Sequence, residues 1–340
     1  MRHRNLRLVP VGAYAEIPAR IPTERPLVVT HSPLLGEAGR TLRARGAFLV
    51  SFAHMPLYGR DPNAYREVDL IFAVSQHVID SLESGGLRHF YPAPLYGVAD
   101  FDRGPQSAQN AIVRRPPYDW DRRKFRDRLL AVLYPLCAAC RSRTVFSRRP
   151  GLTLGIVSRL TPIKQFPLMF ELLAPALGRF PDVNIEIFGS GGYASVRDLR
   201  RSLAPIRRQV RFWGEQSDVR SIYRQIDYLL TGLPEKEALG LNVIEAQACN
   251  TPVLAVNAPP FTETIAPGKS GFLFTDPRND GGLDFAALLG KLIAGQGIDR
   301  LRMDTRHLAQ FTFDAFKTRV GAAMHHAENA MGTGRPGQLS

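Results

Sequence analysis

At 340 residues and 44 % hydrophobic content, the chain is long enough to bury two sizeable cores. Its formal charge of +13 is uneven, since residues 1–150 hold 23 Lys+Arg against 13 Asp+Glu (net +10) and the remainder 21 against 18. No apolar stretch is long enough to cross a bilayer, the first residues lack a secretory apolar core, and three cysteines make no disulfide framework, so a cytoplasmic protein is expected.

In the first half, RPLVVTHSP, AFLVSFAHM and LIFAVS are apolar runs of strand length. LLGEAGRTLRARG reads as a helix between the first two. The first run leads to His31 and the second to His54; a histidine after a strand is ordinarily a loop or capping residue. Asp100-Phe101-Asp102 and Asp119-Trp120-Asp121 match a D-x-D metal pattern by chance, because neither clearly follows a buried strand inside a nucleotide-binding unit. The densest basic stretch comes next. Arg122, Arg123, Lys124, Arg126 and Arg128 precede the apolar LLAVLYPLCAAC, and Arg141, Arg143, Arg148 and Arg149 follow it. Over residues 114–149 two readings stand: a basic amphipathic face for an anionic membrane, or an interdomain helix with solvated arginines. Cys137 and Cys140 form a lone C-x2-C, which predicts buried thiols and no structural zinc. No helix-turn-helix, RNP or zinc-finger pattern accompanies the charge, so no nucleic-acid partner is expected.

From residue 150 the chain alternates regularly. LTLGIVSRLTPIKQF is a buried strand ending near Ser158, a turn through Thr161-Pro162, then a helix. Arg159 and Lys164 straddle that turn, where both can point over the carboxyl end of a sheet. NIEIFGSGG runs into a Gly-rich turn at Gly189, suited to close backbone approach by a nucleotide base or ribose. A helix over ASVRDLRRSLAPI, the strand VRFWGE, a helix over DVRSIYRQI and the strand DYLLTGL follow. PVLAV and GFLFT are further strands, and FAALLGKLIAG and a segment from about 313 to 331 are helices. Such alternation predicts a doubly wound parallel sheet over 150–312.

The run EKEALGLNVIEAQACNTPVLAV carries the most chemistry. Glu237 lies in a loop, and Glu245, eight positions later, lies in the first turns of a short helix. Leu241, Ile244 and Ala248 supply the expected apolar face, and Asn250 sits where a left-handed residue ends the helix. The helix start beside Gly240 offers free backbone N–H groups and a positive dipole end, a seat for phosphate. Two carboxylates flanking an anion seat suit a ligand with both phosphate and hydroxyls, which describes a sugar nucleotide.

This run resembles the E-x7-E signature of family 4 retaining glycosyltransferases. Ala238-Leu239-Gly240-Leu241 stands at the family's Gly-containing turn, and Asn250-Thr251-Pro252-Val253 at its Gly-Thr-Pro-Val. Ser158-Arg159-Leu160 and Lys164-Gln165 resemble its Gly-Arg-Leu…Lys-Gly element, with Ser158 and Gln165 replacing glycines. The N-terminal strands ending in His31, His54 and Ser75, with the turn PLYGVAD, resemble the middle of the family's first domain. Only 24 residues precede RPLVVTH, and they contain no Gly-rich loop, so the resemblance implies a shortened first domain.

The resemblance implies a GT-B fold: two Rossmann-like α/β domains, each a doubly wound parallel sheet, facing a cleft. Residues 1–149 form the acceptor domain with its basic linker 114–149, 150–312 bind the sugar nucleotide, and 313–340 return as a crossing helix and tail. It implies that Arg159 and Lys164 stabilise the leaving nucleotide diphosphate, aided by amides around Leu239, Gly240 and Leu241. Glu245 binds ribose, Glu237 a hydroxyl of the transferred sugar, and His54 orients that sugar; Ser158 and Gly189 line the donor site, and His31 is structural. The implied reaction is a retaining, metal-independent transfer without a cofactor. Its donor is a UDP-, GDP- or ADP-sugar, and its acceptor a glycan or lipid-linked glycan reached from the inner membrane face. Two alternatives share the fold: a binding or regulatory subunit that has lost catalysis, which Pro259-Pro260 before Glu263 favours, and a sugar-nucleotide epimerase.

Overall fold

A computed structural model of the protein describes residues 8–99, 111–121, 123–125, 127–132 and 144–332. The D-x-D match at Asp100, the cysteines Cys137 and Cys140, and Arg122, Arg126, Arg141 and Arg143 of the basic stretch lie outside the described residues. The chain divides into two compact units, Met1–Gly97 with Asp314–Ser340, and Val98–Phe313.

The first unit is built on β1 (Leu27–Thr30), β2 (Phe48–Ala53) and β3 (Leu70–Ala73), parallel and in that order. A helix over Glu37–Ala44 joins β1 to β2 and buries Ala38, Gly39 and Leu42. After β3, Ser75 caps the helix Gln76–Ser84 by accepting from the Val78 amide, a side-chain cap for one of the orphan donors of a helix start. One face of this sheet packs Phe48, Val50, Leu70 and Phe72 against Leu95 and against Ala323 and Ala327 of the last helix, Phe313–Gly332. From residue 314 that helix therefore belongs to the unit of the N-terminal sheet.

The second unit holds β4 (Leu152–Val157), β5 (Val183–Phe188), β6 (Val210–Gly214), β7 (Tyr228–Leu230), β8 (Val253–Val256) and β9 (Gly271–Phe274). Every pairing is parallel, and the order is β6-β5-β4-β7-β8-β9. Strands built of apolar runs are buried on both faces here, as parallel sheets require. The order reverses between β4 and β7, so the crevice outside their carboxyl ends is the switch point at which such sheets take ligands. Both units are Rossmann-like parallel α/β folds, as the sequence leads one to expect.

The segment before β4 joins the second unit rather than standing apart. Val113 bridges Val145, the Arg115 amide donates to the Trp213 carbonyl at 2.9 Å, and Tyr118 bridges Gly191. Arg148 and Arg149, the last arginines of the basic stretch, are tied into the domain, Arg148 while exposed and Arg149 half-buried. Arg148 reaches both oxygens of Asp227 at 2.5 and 2.7 Å. Arg149 bonds the Glu186 carboxylate at 3.0 Å, and Glu186 is fully buried. A buried carboxylate needs charged or hydrogen-bonding partners, and here Arg211 and Trp213 Nε1 supply the others. Within 123–132 the expected exposure holds: Arg123, Lys124 and Arg128 face solvent, as do Phe125, Leu129 and Val132. Among the described residues, no helix is long and apolar enough to cross a membrane.

Candidate functional site

The two strands at the switch point deliver the charged residues singled out in the sequence. β4 ends at Val157, and Ser158 and Arg159 follow it directly. A 3-10 turn over Pro162–Lys164, closed by the Lys164 amide on the Thr161 carbonyl, then brings Lys164 back. β7 ends at Leu230 and leads through Gly232 to Glu237. A Cβ on Gly232 would lie 2.1 Å from the Lys164 carbonyl oxygen, so the two loops touch through backbone and admit only glycine there. The result is a direct ion pair between Lys164 Nζ and Glu237 Oε2. Arg159 is exposed and has no hydrogen bond or ion pair to the described residues, which leaves its guanidinium available.

The helix Leu241–Ala248 starts on Gly240, whose φ of 78° is left-handed. Asn242 Nδ2 donates to the Val157 carbonyl at 3.1 Å, pinning the helix start to the end of β4. The amides of Gly240 and Leu241 donate to no acceptor among the described residues. They therefore add to the positive end of the helix dipole beside the end of β4. The buried face differs from expectation. Val243, Ile244, Ala246 and Gln247 are buried, whereas Leu241 is 45 % exposed and Ala248 is exposed. Leu241 at the helix mouth thus faces outward, and Gln247 takes its place in the interior by bonding the Val243 and Thr264 carbonyls and His307. Asn250 adopts the expected left-handed conformation, with φ 54°.

Glu245 is half-buried, and its Oε2 accepts from the Tyr223 hydroxyl at 3.1 Å. Burial pushes the Glu245 carboxyl above the usual range, and the Tyr223 hydrogen bond offsets part of that shift. Tyr223 is fully buried; burial, then the Glu245 charge and hydrogen bond, raise its pKa and hold it protonated as a donor. Its backbone is fixed in turn, because Arg300 bonds the carbonyls of Tyr223, Ile226 and Asn250 and the Thr251 hydroxyl. Tyr223 and Asn242 escaped the sequence reading, since each acts through a partner 22 or 85 positions away.

Ser158 and Gly189 stand together at the ends of β4 and β5. The Ser158 amide donates to the Phe188 carbonyl at 3.1 Å. Gly189 has φ 143°, and a Cβ there would lie 1.9 Å from the Ser158 carbonyl oxygen. The close approach that this glycine permits is thus between two strands of the sheet. In the first unit His54 follows β2 and is exposed, and its Nε2 lies 2.9 Å from Nδ1 of His31. Burial and then the neighbouring His31 lower its pKa.

Residues 147–306 match the family model of glycosyl transferases group 1. The D-inositol 3-phosphate glycosyltransferase of Corynebacterium urealyticum is 29 % identical over 176 residues, which cover 47 % of this chain and 40 % of that protein. Phosphatidyl-myo-inositol mannosyltransferase of Mycolicibacterium smegmatis is 31 % identical over 147 residues, 42 % of this chain and 37 % of the relative. The matched stretch spans about 40 % of the length of these curated relatives. Among solved structures, the lipopolysaccharide outer core galactosyltransferase WaaB superposes with a TM-score of 0.62 at 16 % identity, covering 92 % of this chain and 79 % of its own. Anabaena Alr3699/HepE in complex with UDP-glucose gives 0.59 at 18 % identity, covering 85 % and 75 %. At this identity the likeness shows the fold, which is GT-B.

Proposed function

We propose that the chain is a retaining glycosyltransferase that moves a sugar from a nucleotide diphosphate to a glycan or lipid-linked acceptor. The observation that carries this reading is the convergence at the switch point of Lys164, Arg159, Glu237 and the helix start at Gly240–Leu241, with Glu245 one turn further on. Arg159 and Lys164 neutralise the charge that builds on the departing diphosphate, an electrostatic contribution that is large when the donors are preorganised. The amides of Leu239, Gly240 and Leu241 add to it. Glu245 accepts from ribose hydroxyls, Glu237 from a hydroxyl of the transferred sugar, and His54 orients that sugar. Ser158 and Gly189 shape the floor beneath the donor. No metal or organic cofactor enters the scheme, because fixed cations take the electrophilic role.

The donor is a nucleotide-diphosphate sugar, with UDP the first base to test because solved structures of similar fold carry UDP and UDP-glucose. GDP- and ADP-sugars are the remaining candidates. The acceptor is reached at an anionic membrane face. Phe125, Leu129 and Val132 recur at helical spacing and are exposed beside Arg123, Lys124 and Arg128, which suits a peripheral association from the cytoplasmic side.

The deciding experiment is thermal stabilisation of the full chain by UDP-, GDP- and ADP-sugars, followed by nucleotide release with and without acceptor. A shift with one base, coupled to acceptor-dependent release, supports the transferase. Stabilisation without release in any acceptor mixture identifies a binding subunit instead, and conversion of the donor into another nucleotide sugar without net nucleotide release identifies an epimerase.

A further inference from the structure

We infer that His31 is a positioning residue that fixes the tautomer of His54, so that His54 presents a bare Nδ1 as a hydrogen-bond acceptor. The pleat puts the two side chains together. β1 and β2 are parallel with Thr30 across from Ser51, and His31 and Phe52 are the next residues of each chain segment, with their rings in contact. Phe52 and His54, two apart, share a face of the sheet. The three rings form one layer: His31 and Phe52 have centroids 5.6 Å apart, Phe52 and His54 5.6 Å, and His31 and His54 5.1 Å.

The two imidazoles meet edge to edge. Nδ1 of His31 and Nε2 of His54 are 2.9 Å apart, 2.2 Å less than the ring centres (5.1 less 2.9 Å), with an interplanar angle of 24°. A difference that large requires each nitrogen to point at the other ring, as in a direct N–H···N bond. Two lone pairs facing at this distance repel, so one proton sits between the rings. If His31 Nδ1 carried it, both neutral rings would hold the Nδ1–H form, which is the minor tautomer of imidazole in water. If His54 Nε2 carries it, both rings keep the commoner Nε2–H form. The second arrangement satisfies the contact without a tautomeric cost.

His54 Nδ1 then has a free lone pair and no partner among the described residues, on an exposed side chain. It accepts a hydrogen bond from a ligand hydroxyl, while His31, also exposed, keeps its own Nε2–H as a donor. The pair offers an adjacent acceptor and donor, a match for a polyhydroxylated ligand. A lone histidine would interconvert between tautomers and offer the acceptor only part of the time. The use of that acceptor in sugar transfer rests on the role proposed above for His54; the tautomer itself rests on the ring geometry alone.

The test is long-range 1H–15N correlation on the full chain labelled at its eight histidines, above neutral pH, with His54 assigned through His54→Gln. Expected is a single Nε2–H pattern with an unprotonated Nδ1, lost to tautomer averaging in His31→Leu and retained in His31→Asn, whose amide oxygen can accept the same bond. A His54 in the Nδ1–H form, or a pattern unmoved by His31→Leu, overturns the inference. In transfer assays His31→Leu should lower kcat/KM about tenfold, the worth of one hydrogen bond, with nucleotide affinity unchanged and partial recovery in His31→Asn. Transfer indifferent to His54→Gln alongside a locked tautomer refutes the catalytic role of His54 and leaves the pairing standing.

Discussion

Glu245→Gln separates ligand binding from folding more cleanly than any other change in the site. Gln keeps the shape of the side chain and an oxygen for the Tyr223 hydroxyl, which lies 3.1 Å from Glu245 Oε2. It removes only the charge. In the free protein that charge is a burden, because burial raises the carboxyl pKa. A raised native pKa means that the folded chain holds its proton more firmly than the unfolded one. Stability therefore falls as pH climbs from the ordinary glutamate range through the raised native value. Above the raised native value the wild type carries that loss in full, and the Gln variant carries none at any pH. We expect the melting temperature of Glu245→Gln to equal or exceed that of the wild type, with the difference vanishing under acid conditions. Nucleotide binding should move the other way. A hydrogen bond from a ribose hydroxyl to a carboxylate is worth about 1.5–3 kcal/mol, so its loss weakens affinity roughly 10- to 100-fold at 1.4 kcal/mol per decade. Titration calorimetry with UDP and UDP-glucose, beside pH-dependent melting, measures both quantities. Unchanged affinity would remove Glu245 from the ribose contact, and a melting temperature that drops with affinity would make the carboxylate a structural group.

Other substitutions probe the remaining parts of the site and its scaffold. Lys164→Ala should cut turnover by about 10²–10³-fold, the range for losing one preorganised charge stabiliser, while melting changes little; equal damage to both would make Lys164 structural. Arg159→Ala should leave stability within about 0.5 kcal/mol, as for an exposed side chain without partners, yet raise KM for the donor, and an unaltered KM would exclude it from the diphosphate site. Glu186→Ala should cost about 3–5 kcal/mol in urea unfolding, because it strands Arg149 and Arg211 beside a buried cavity; a loss below about 1 kcal/mol would refute the buried network. Binding to anionic vesicles should fall with added salt and with Phe125→Asp, and indifference to both would sink the membrane face.

What the sequence disclosed and what it hid divide along one physical line. Arg159, Lys164 and Glu237 were legible because each follows a strand whose apolar run is unmistakable, and a parallel sheet sends all such successors to one edge. The parallel six-strand sheet followed from the alternation of apolar strands and helices, whereas its order, β6-β5-β4-β7-β8-β9, is read from the structure. Side-chain partnership was not legible, because it joins residues remote in sequence. Arg148 and Arg149 looked like part of a solvated basic stretch, yet Asp227 and Glu186, 79 and 37 positions on, claim them. The signal for the second lay in VNIEIF, where one glutamate interrupts a fully buried strand. A carboxylate in that setting must recruit cations and donors, and the nearest unexplained arginines stood just ahead of β4. The helix Leu241–Ala248 misled for a related reason. Its arc was read from apolar residues, but Leu241 sits at the mouth where ligand is expected, and Gln247 is admitted to the interior because two carbonyls and His307 satisfy its amide. The same reasoning explains His31, which looks like an ordinary loop residue until the register of β1 on β2 sets its ring against His54. Burial predicted from hydrophobicity thus fails where polar groups find partners. In this chain the arginine partnerships lie at the amino ends of β4 and β7, where they brace the sheet, whereas Leu241 and His31 stand beyond the carboxyl ends of strands in their own units, among residues of the proposed chemistry.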